Sequence, residues 1–335
     1  MTLDPRVAAV RLAVRRVLRQ PDVRRVLVAC SGGADSLALL AATVFETRRH
    51  DVHVVGAVVD HGLQDGSAEH TARVVQQMAD LGVDETVSAR VQVDAGGLGP
   101  EAGAREARYD VLDQMAVHFG ATRVLLGHTL DDQAETVLLG LARGSGGRSL
   151  AGMRESFQRD VAADSPWFWR PLLDVRRAQT EAACLAEGIS WWTDPHNQDP
   201  RFARSRVRQS LLPVLERELG PGIAEALART ADQLQADTEV LDELAAHHFR
   251  ELYDDELGFL VWALEPIALA LRHRMLRLAA LRAGCPPSEL TAGHIKALAL
   301  QVQNTEHLPK QIQLPGHVTA IREGDVLRFV RAPLA

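Results

Sequence analysis

The sequence contains very little lysine. Only Lys296 and Lys310 occur among its 335 residues, so nearly all of its positive charge is carried by arginine. A Walker-type nucleotide loop needs a lysine directly before its serine or threonine. Neither lysine lies in such a setting, and the chain's most prominent glycine-rich turn has Asp35 at that position. A loop without this lysine is poorly equipped to direct attack at a γ-phosphate.

Cysteine is also scarce. Cys30, Cys184 and Cys285 are far apart in the sequence and none belongs to a C-x-x-C pair. This spacing argues against a disulfide framework, a zinc site and an iron–sulfur cluster, and it predicts three buried, small side chains instead.

Long apolar runs are absent. No segment approaches the roughly 18 uninterrupted apolar residues of a membrane span, and the first residues lack the apolar core and cleavage site of a secretory signal. We therefore expect a cytoplasmic protein. Residues 5–18 have apolar positions at helical spacing with arginines between them, which favours an amphipathic helix packed on the domain over a transit peptide. A length of 335 residues predicts two domains.

Negative charge prevails overall, at −7, but it is unevenly distributed. Residues 143–217 contain 12 arginines against 9 acidic residues, a local net charge of +3. Such a basic region can attract a polyanion such as nucleic acid, although an ordinary solvated surface would have the same composition.

The sequence pattern is clearest around a glycine-rich turn. The small apolar residues 26–30 predict a strand buried on both faces, and helical spacing returns after Asp35. Between them lies Ser31-Gly32-Gly33-Ala34-Asp35-Ser36. The glycines let the backbone approach a ligand, the helix N-terminus favours an anion, and Asp35 suits a hard cation such as Mg²⁺. By itself this turn could also serve packing.

Two further segments are expected beside this turn. Residues 52–59 predict a second, parallel strand, so that Asp60 and His61 lie at the same edge of the sheet as Ser31. Strand 122–126 leads into the sequence Gly127-His128-Thr129-Leu130-Asp131-Asp132-Gln133-Ala134-Glu135-Thr136, which we expect at the start of a helix. Helical spacing would place His128, Asp132 and Glu135 on one side, although carboxylates in a first helical turn also need no catalytic explanation.

Arginines recur in three later segments. Arg105 and Arg108 lie on a predicted helix over 101–119 with Tyr109, Arg143 and Arg148 lie in the glycine-rich stretch 141–153, and Arg204 and Arg206 lie in 201–208. Arg204 and Arg208 would share one helix face, with Arg206 elsewhere. These side chains could bind phosphate or could form surface ion pairs.

The turn Ser31–Ser36 resembles the S-G-G-x-D-S signature of the PP-loop family, ATP pyrophosphatases that adenylate a substrate. Over residues 25–215, six ordered motifs resemble the tRNA(Ile)-lysidine synthetase family more specifically. They are Val59-Asp60-His61-Gly62-Leu63, Glu101-x-x-x-Arg105-x-x-Arg108-Tyr109, the decapeptide 127–136, Arg143-Gly144-Ser145-Gly146, Arg170-Pro171-Leu172-Leu173, and Asp194-x-x-Asn197 with Arg204-x-Arg206. Ser205 departs from the asparagine that the family often has.

The resemblance implies a doubly wound, mainly parallel α/β sheet of the Rossmann-like PP-loop type. It implies that ATP adenylates C2 of the wobble cytidine in an isoleucine tRNA with anticodon CAU, and that free lysine then displaces AMP. The implied nucleotide-binding residues are Ser31, Gly32, Gly33, Ala34, Asp35, Ser36, Asp60 and His61. Asp35 and Asp132 are the implied Mg²⁺ ligands. Asp132, Glu135, His128 and Arg108 are the implied catalytic residues, and Arg143, Arg148, Arg204 and Arg206 the implied tRNA contacts.

The remainder of the chain predicts a second domain. Helices are expected at 223–250, 266–283 and 288–302, followed by short strands over 310–330. We place the catalytic domain at 1–217 and a smaller, mostly helical domain with short terminal strands at 218–335. The resemblance implies that the latter positions tRNA, in a short form with one C-terminal domain. Two alternatives stay open: a thiolating PP-loop enzyme, and a nucleotide- or RNA-binding member without turnover.

Overall fold

The computed structural model describes residues 3–20, 23–48, 50–60, 66–91, 100–144, 146–160, 165–194, 199–303 and 310–332. The chain divides into two compact units. Unit 1 comprises Met1–Ala142 and Gly152–Ala231, and unit 2 comprises Arg143–Ala151 and Asp232–Ala335. Our boundary after residue 217 separates two proposed functions rather than two compact units, so it stays a prediction.

Unit 1 is built on a six-stranded sheet. Its strands are β1 (Arg25–Ala29), β2 (His53–Asp60), β3 (Glu85–Arg90), β4 (Arg123–Leu126), β5 (Ser156–Phe157) and β6 (Trp167–Trp169). The spatial order is β3-β2-β1-β4-β6-β5, and every neighbouring pair is parallel except β5 with β6. The mainly parallel sheet that we predicted is thereby confirmed.

Helices surround this sheet. They are α1 (Pro5–Leu18), α2 (Ala34–Thr47), α3 (Ser67–Leu81), α4 (Pro100–His118), α5 (Leu130–Arg143), α7 (Arg177–Ala186), α8 (Ala203–Arg206), α9 (Leu212–Leu219) and the first part of α10 (Ile223–Leu252). A π-helical segment, Val207–Leu211, joins α8 to α9.

The central strand explains why the sheet is covered on both faces. Val26 and Val28 of β1 belong to a core that includes residues of α1, α2, α3 and α7, whereas Leu27 belongs to a second core that includes residues of α4. The side chains of successive residues in a strand point to opposite faces of the sheet. A continuously apolar strand therefore needs helices packed on both faces.

The order of the strands reverses at β1. β2 pairs with one edge of β1 and β4 with the other. In open α/β sheets, ligands bind in the crevice at such a reversal, outside the carboxyl ends of the strands. The segments that follow β1 and β4, which begin at Cys30 and Gly127, therefore meet where a ligand is expected.

Unit 2 contains an antiparallel sheet and several helices. Its strands are β7 (Tyr253–Asp254), β8 (Gly258–Leu260), β9 (Gln311–Leu314), β10 (Val318–Glu323) and β11 (Val326–Arg331), in the order β7-β8-β11-β10-β9. Its helices are α6 (Gly147–Leu150), α11 (Val261–Leu264), α12 (Leu269–Arg282), α13 (Ala292–Gln303) and the remainder of α10. Phe259, Met275 and Leu298 are fully buried in its core.

The predicted C-terminal helices and terminal strands are present, and β10 and β11 form a hairpin around Gly324. The strands β7 and β8 were not predicted, because two- and three-residue strands carry no readable alternation. In the described part of the chain, no helix is long and apolar enough to cross a membrane.

Candidate functional site

The glycine-rich turn forms a tight connection from β1 to α2. Gly32 has a φ of 80°, and Gly33 is the N-cap of α2 without a side-chain hydrogen bond to the helix. Ser36 Oγ donates to the carbonyl of Gly33 (2.9 Å) and accepts from the backbone N–H of Ser31 (3.1 Å). Hydrogen bonds within the turn therefore stabilise it. The N-terminus of α2 has no side-chain cap and can bind an anion.

A cavity of about 1090 Å³ opens in unit 1 beside this turn. Nine of the residues that we predicted from the sequence line it: Ser31, Gly33, Asp35, Ser36, Asp60, Arg108, His128, Asp132 and Arg204. Gly32 and Ala34 belong to the same turn but are not among the lining residues. His61 lies outside the described residues.

Three carboxylates converge at one end of the cavity. Asp132 accepts the backbone N–H and the hydroxyl of Thr129 through Oδ2, at 2.8 and 2.9 Å. Glu135, one turn further along α5, is completely buried. Asp35 approaches from α2 and accepts the hydroxyl of Thr180. His128 precedes α5, which begins at Leu130, so His128 is not on the helix face that we predicted for it.

Three arginines neutralise these carboxylates. Arg177 donates to Asp132 (2.8 Å), Asp35 (3.3 Å) and Glu135 (3.4 Å). Arg208 donates to Glu135 (2.6 and 2.9 Å) and to Asp132 (3.1 Å). Arg204 donates to Glu135 at 2.9 Å. The cluster is therefore a compact network of ion pairs rather than a set of free acids.

Sequence reasoning did not select two of these arginines as site residues. Arg208 was recognisable in part, because it shares a helix face with Arg204, and both side chains reach Glu135. Arg177 carried no such signal, because nothing near it in the sequence suggests an acidic partner. It lies at the first position of α7, and its backbone N–H donates to Asp131 at 2.7 Å.

Burial affects the carboxylates of Asp35 and Asp132 differently. It raises the pKa of Asp35 to about 6, although Arg177 and Thr180 oppose the shift. It also acts to raise the pKa of Asp132, but Arg177 and further positive neighbours outweigh burial there and lower that pKa to about 2. Asp132 is therefore ionised at neutral pH, whereas Asp35 gains or loses its proton at a pH slightly below neutral.

Arg108 and His128, which also line the cavity, have other positive side chains near them. Burial lowers the pKa of Arg108, and the charges of Arg105, Arg204 and Arg170 lower it further. Burial also lowers the pKa of His128 to about 3, so its ring is neutral, and its buried Nδ1 has no hydrogen-bond partner among the described residues. A neutral imidazole next to closely spaced guanidinium groups suits an anionic or polar ligand.

A third part of the wall was not predicted. The ring of His70 lies 4.1 Å from that of Trp192, and its Nε2 is 3.1 Å from the carbonyl oxygen of Ser31. The backbone N–H of Trp192 donates to the carbonyl of Gly32 at 2.9 Å. Both residues line the cavity. Their hydrogen bonds to the carbonyls of Ser31 and Gly32 hold the glycine-rich turn in place.

The arginines predicted for tRNA are divided between the two units. Arg204 lies in the carboxylate network, and Arg206 donates to the carbonyls of Pro200 and Arg201, at 2.8 Å each. Arg143 and Arg148 belong to unit 2, where Arg148 is paired with Asp242 at 2.9 Å.

Comparisons with known proteins agree with this geometry. Residues 8–215 match the PP-loop domain family. A tRNA(Ile)-lysidine synthase of Salinispora arenicola is 48% identical over 313 residues, which cover 92% of this chain and 93% of that protein. The enzyme of the same name from Thermobifida fusca is 50% identical over 88% of both chains, and that from Streptomyces coelicolor is 44% identical over 96% of this chain and 97% of its own.

Among solved structures, the U34-tRNA thiolase NcsA of Methanococcus maripaludis superimposes with a TM-score of 0.58. It is 17% identical and covers 69% of this chain and 80% of its own, so it shows a shared fold only. The extent and identity of the curated relatives carry more: this chain belongs to the tRNA(Ile)-lysidine synthase family of PP-loop proteins.

Proposed function

We propose that this protein is a cytoplasmic, ATP-dependent ligase that joins free lysine to C2 of the wobble cytidine in an isoleucine tRNA with anticodon CAU. ATP first adenylates the C2 oxygen and releases pyrophosphate. The amine of lysine then displaces AMP. The observation that carries this proposal is that residues of the turn Ser31–Ser36 and Asp132 of α5 line one cavity.

The glycine-rich turn is the proposed pyrophosphate site. The N-terminus of α2 and the hydroxyl of Ser31 can stabilise the negative charge that develops on the leaving group, while Ser36 holds the turn through its bond to Gly33. Asp60 and His61 stay in the proposed nucleotide site, Asp60 because it lines the cavity.

The donor set at Asp35 and Asp132 fits Mg²⁺. These two carboxylates already share one positive group, Arg177, and Mg²⁺ in nucleotide sites is held by one or two carboxylates together with phosphate oxygens. Bound there, Mg²⁺ would offset phosphate charge.

Asp132 is the proposed contact for the lysine ammonium, since it is ionised and lines the cavity. Glu135 is completely buried and does not line the cavity, so we propose that it acts only through its negative charge next to Asp132. Arg108 and His128 are the proposed groups that offset charge on the α-phosphate. Arg143, Arg148, Arg204 and Arg206 remain proposed tRNA contacts, with Arg204 acting from inside the site.

Incorporation of labelled lysine tests the proposal. The protein is incubated with ATP, Mg²⁺ and one of three RNAs: the CAU isoleucine tRNA, the methionine tRNA with the same anticodon, or the isoleucine tRNA with its wobble base changed. We expect lysine in the first RNA alone, with AMP and pyrophosphate released. Asp35→Ala and Asp132→Ala should abolish incorporation, whereas Asp80→Ala, on the exposed face of α3, should leave it intact.

Other outcomes would identify a different member of the fold. ATP cleavage with another tRNA or with a sulfur donor would contradict the lysine assignment and favour thiolation. Nucleotide binding without pyrophosphate release, in the presence of every RNA, would favour a member without turnover.

A further inference from the structure

Arg177 is placed differently from the other two arginines of the carboxylate network. Arg204 and Arg208 donate to residues of α5. The guanidinium of Arg177 reaches both α5 and the glycine-rich turn, through Nη2 to Asp132 and Nε to Asp35. It therefore lies between the two carboxylates that are the proposed ligands of the divalent cation.

The contacts of Arg177 are unequal in strength. Its bond to Asp132 is 2.8 Å long, but those to Asp35 and Glu135 are stretched to 3.3 and 3.4 Å. Glu135 is also held by Arg204 and Arg208 at 2.6 to 2.9 Å, so it does not depend on Arg177. Asp35 has the hydroxyl of Thr180 as its other side-chain donor. Asp35 is thus the carboxylate that would be left without a cation if Arg177 moved.

Arg177 can reach the ligand space. Its side chain is 20% exposed and lines the cavity. Its backbone is fixed, because it begins α7 and its N–H is bonded to Asp131. The guanidinium can therefore change partners while the helix stays in place.

Resting on the proposed function, we infer that Arg177 is a resident cation: it occupies the position of the divalent cation between Asp35 and Asp132 and yields Asp35 when the metal–nucleotide complex binds. Arg177 is accordingly a positioning residue. It keeps the two like-charged carboxylates together in the free enzyme and lowers the affinity of the empty site for a metal alone.

Manganese binding to the metal-free, nucleotide-free protein tests this inference, with free Mn²⁺ measured by electron paramagnetic resonance. Removal of one positive charge a few ångströms from the metal should tighten binding roughly tenfold or more in Arg177→Gln. Arg177→Lys keeps the charge but not the fork, so it should lie between that variant and the wild type. Arg176→Gln is the matched control, since the neighbouring Arg176 pairs with Asp131, Glu216 and Glu225 and does not line the cavity.

The site of any added affinity is established by a double variant. Asp35→Asn in the Arg177→Gln background should return Mn²⁺ affinity to the wild-type value. Equal affinities in Arg177→Gln and wild type would overturn the inference, and so would a gain that Asp35→Asn does not remove. If circular dichroism shows that Arg177→Gln is unfolded, Arg177→Lys decides: an affinity equal to that of the wild type rejects the inference. Because lysine is not involved, failure here is distinct from failure of lysine incorporation.

Discussion

Asp35 is a buried carboxyl group whose ionisation opposes the stability of the fold. Its carboxyl group is taken from water and its pKa rises from 3.8 to about 6. A raised carboxyl pKa means that ionisation costs more in the folded than in the unfolded protein, so stability falls as pH rises through this interval.

Asparagine mimics the neutral acid, so Asp35→Asn should remove this cost. We expect the variant and the wild type to be equally stable near pH 4, with the variant more stable by about 2–3 kcal/mol above pH 7. Chemical denaturation at several pH values, with a chelator present, measures the difference. A gap that does not change with pH would show that the carboxyl group is not destabilised by burial.

The two glycines of the turn make a matched pair. Gly32 has positive φ, and a Cβ there would lie 2.6 Å from Cγ2 of Val74. Gly33 has a φ of −81°, and its nearest neighbour would be Ser31 Oγ at 3.7 Å. Gly32→Ala should therefore cost about 2–4 kcal/mol of unfolding free energy, and Gly33→Ala less than about 1. Urea denaturation of both variants checks this, and similar losses would contradict the geometry.

At the scale of elements, α5 is anchored by Gln133 on the side away from the carboxylates. The Gln133 side chain accepts from the backbone N–H of Met153 (2.6 Å) and donates to its carbonyl (3.0 Å), and all these atoms are buried. The amide thus replaces a missing backbone partner for the segment that follows Gly152.

Gln133→Leu would leave both backbone groups of Met153 unpaired. Each unsatisfied buried group costs about 1–3 kcal/mol, so we expect a loss of about 2–4 kcal/mol in the free energy of unfolding. Gln76→Leu, at an exposed position of α3, should change stability by less than about 0.5 kcal/mol. Denaturation curves of the two variants would decide, and equal stabilities would show that water replaces the amide.

The elements that positioned the site were largely predictable from sequence. α1 has the bounds that we predicted, because Pro5 marks its start and its apolar spacing is regular. The reversal at β1 could not be derived from the apolar strands alone, because their sequences do not specify which strands pair. Arg177 could not be found this way, because its role comes from three carboxylates that the sheet order brings together from α2 and α5.

At the scale of the whole molecule, two units with separate cores should respond separately to core damage. Phe259 is completely buried in the core of unit 2. Phe259→Ala should cost about 3–5 kcal/mol there. Below the new melting temperature, affinity for an ATP analogue should be unchanged, because the turn and cavity belong to unit 1. Calorimetry and nucleotide titration measure both, and weakened nucleotide binding in the folded variant would count against independent units.

The scarcity of lysine has a chemical consequence for this cavity. All the basic side chains that line it, apart from histidines, are arginines: Arg73, Arg108, Arg177, Arg204 and Arg208. A guanidinium keeps its proton at any physiological pH and is not a nucleophile, whereas a buried lysine readily loses its proton and attacks electrophiles. An enzyme that forms an adenylated intermediate for attack by a substrate amine avoids modifying itself when its cavity wall carries no amine of its own. Among the described residues that line this cavity there is no lysine, so no side-chain amine of the wall competes with the amine of the proposed substrate.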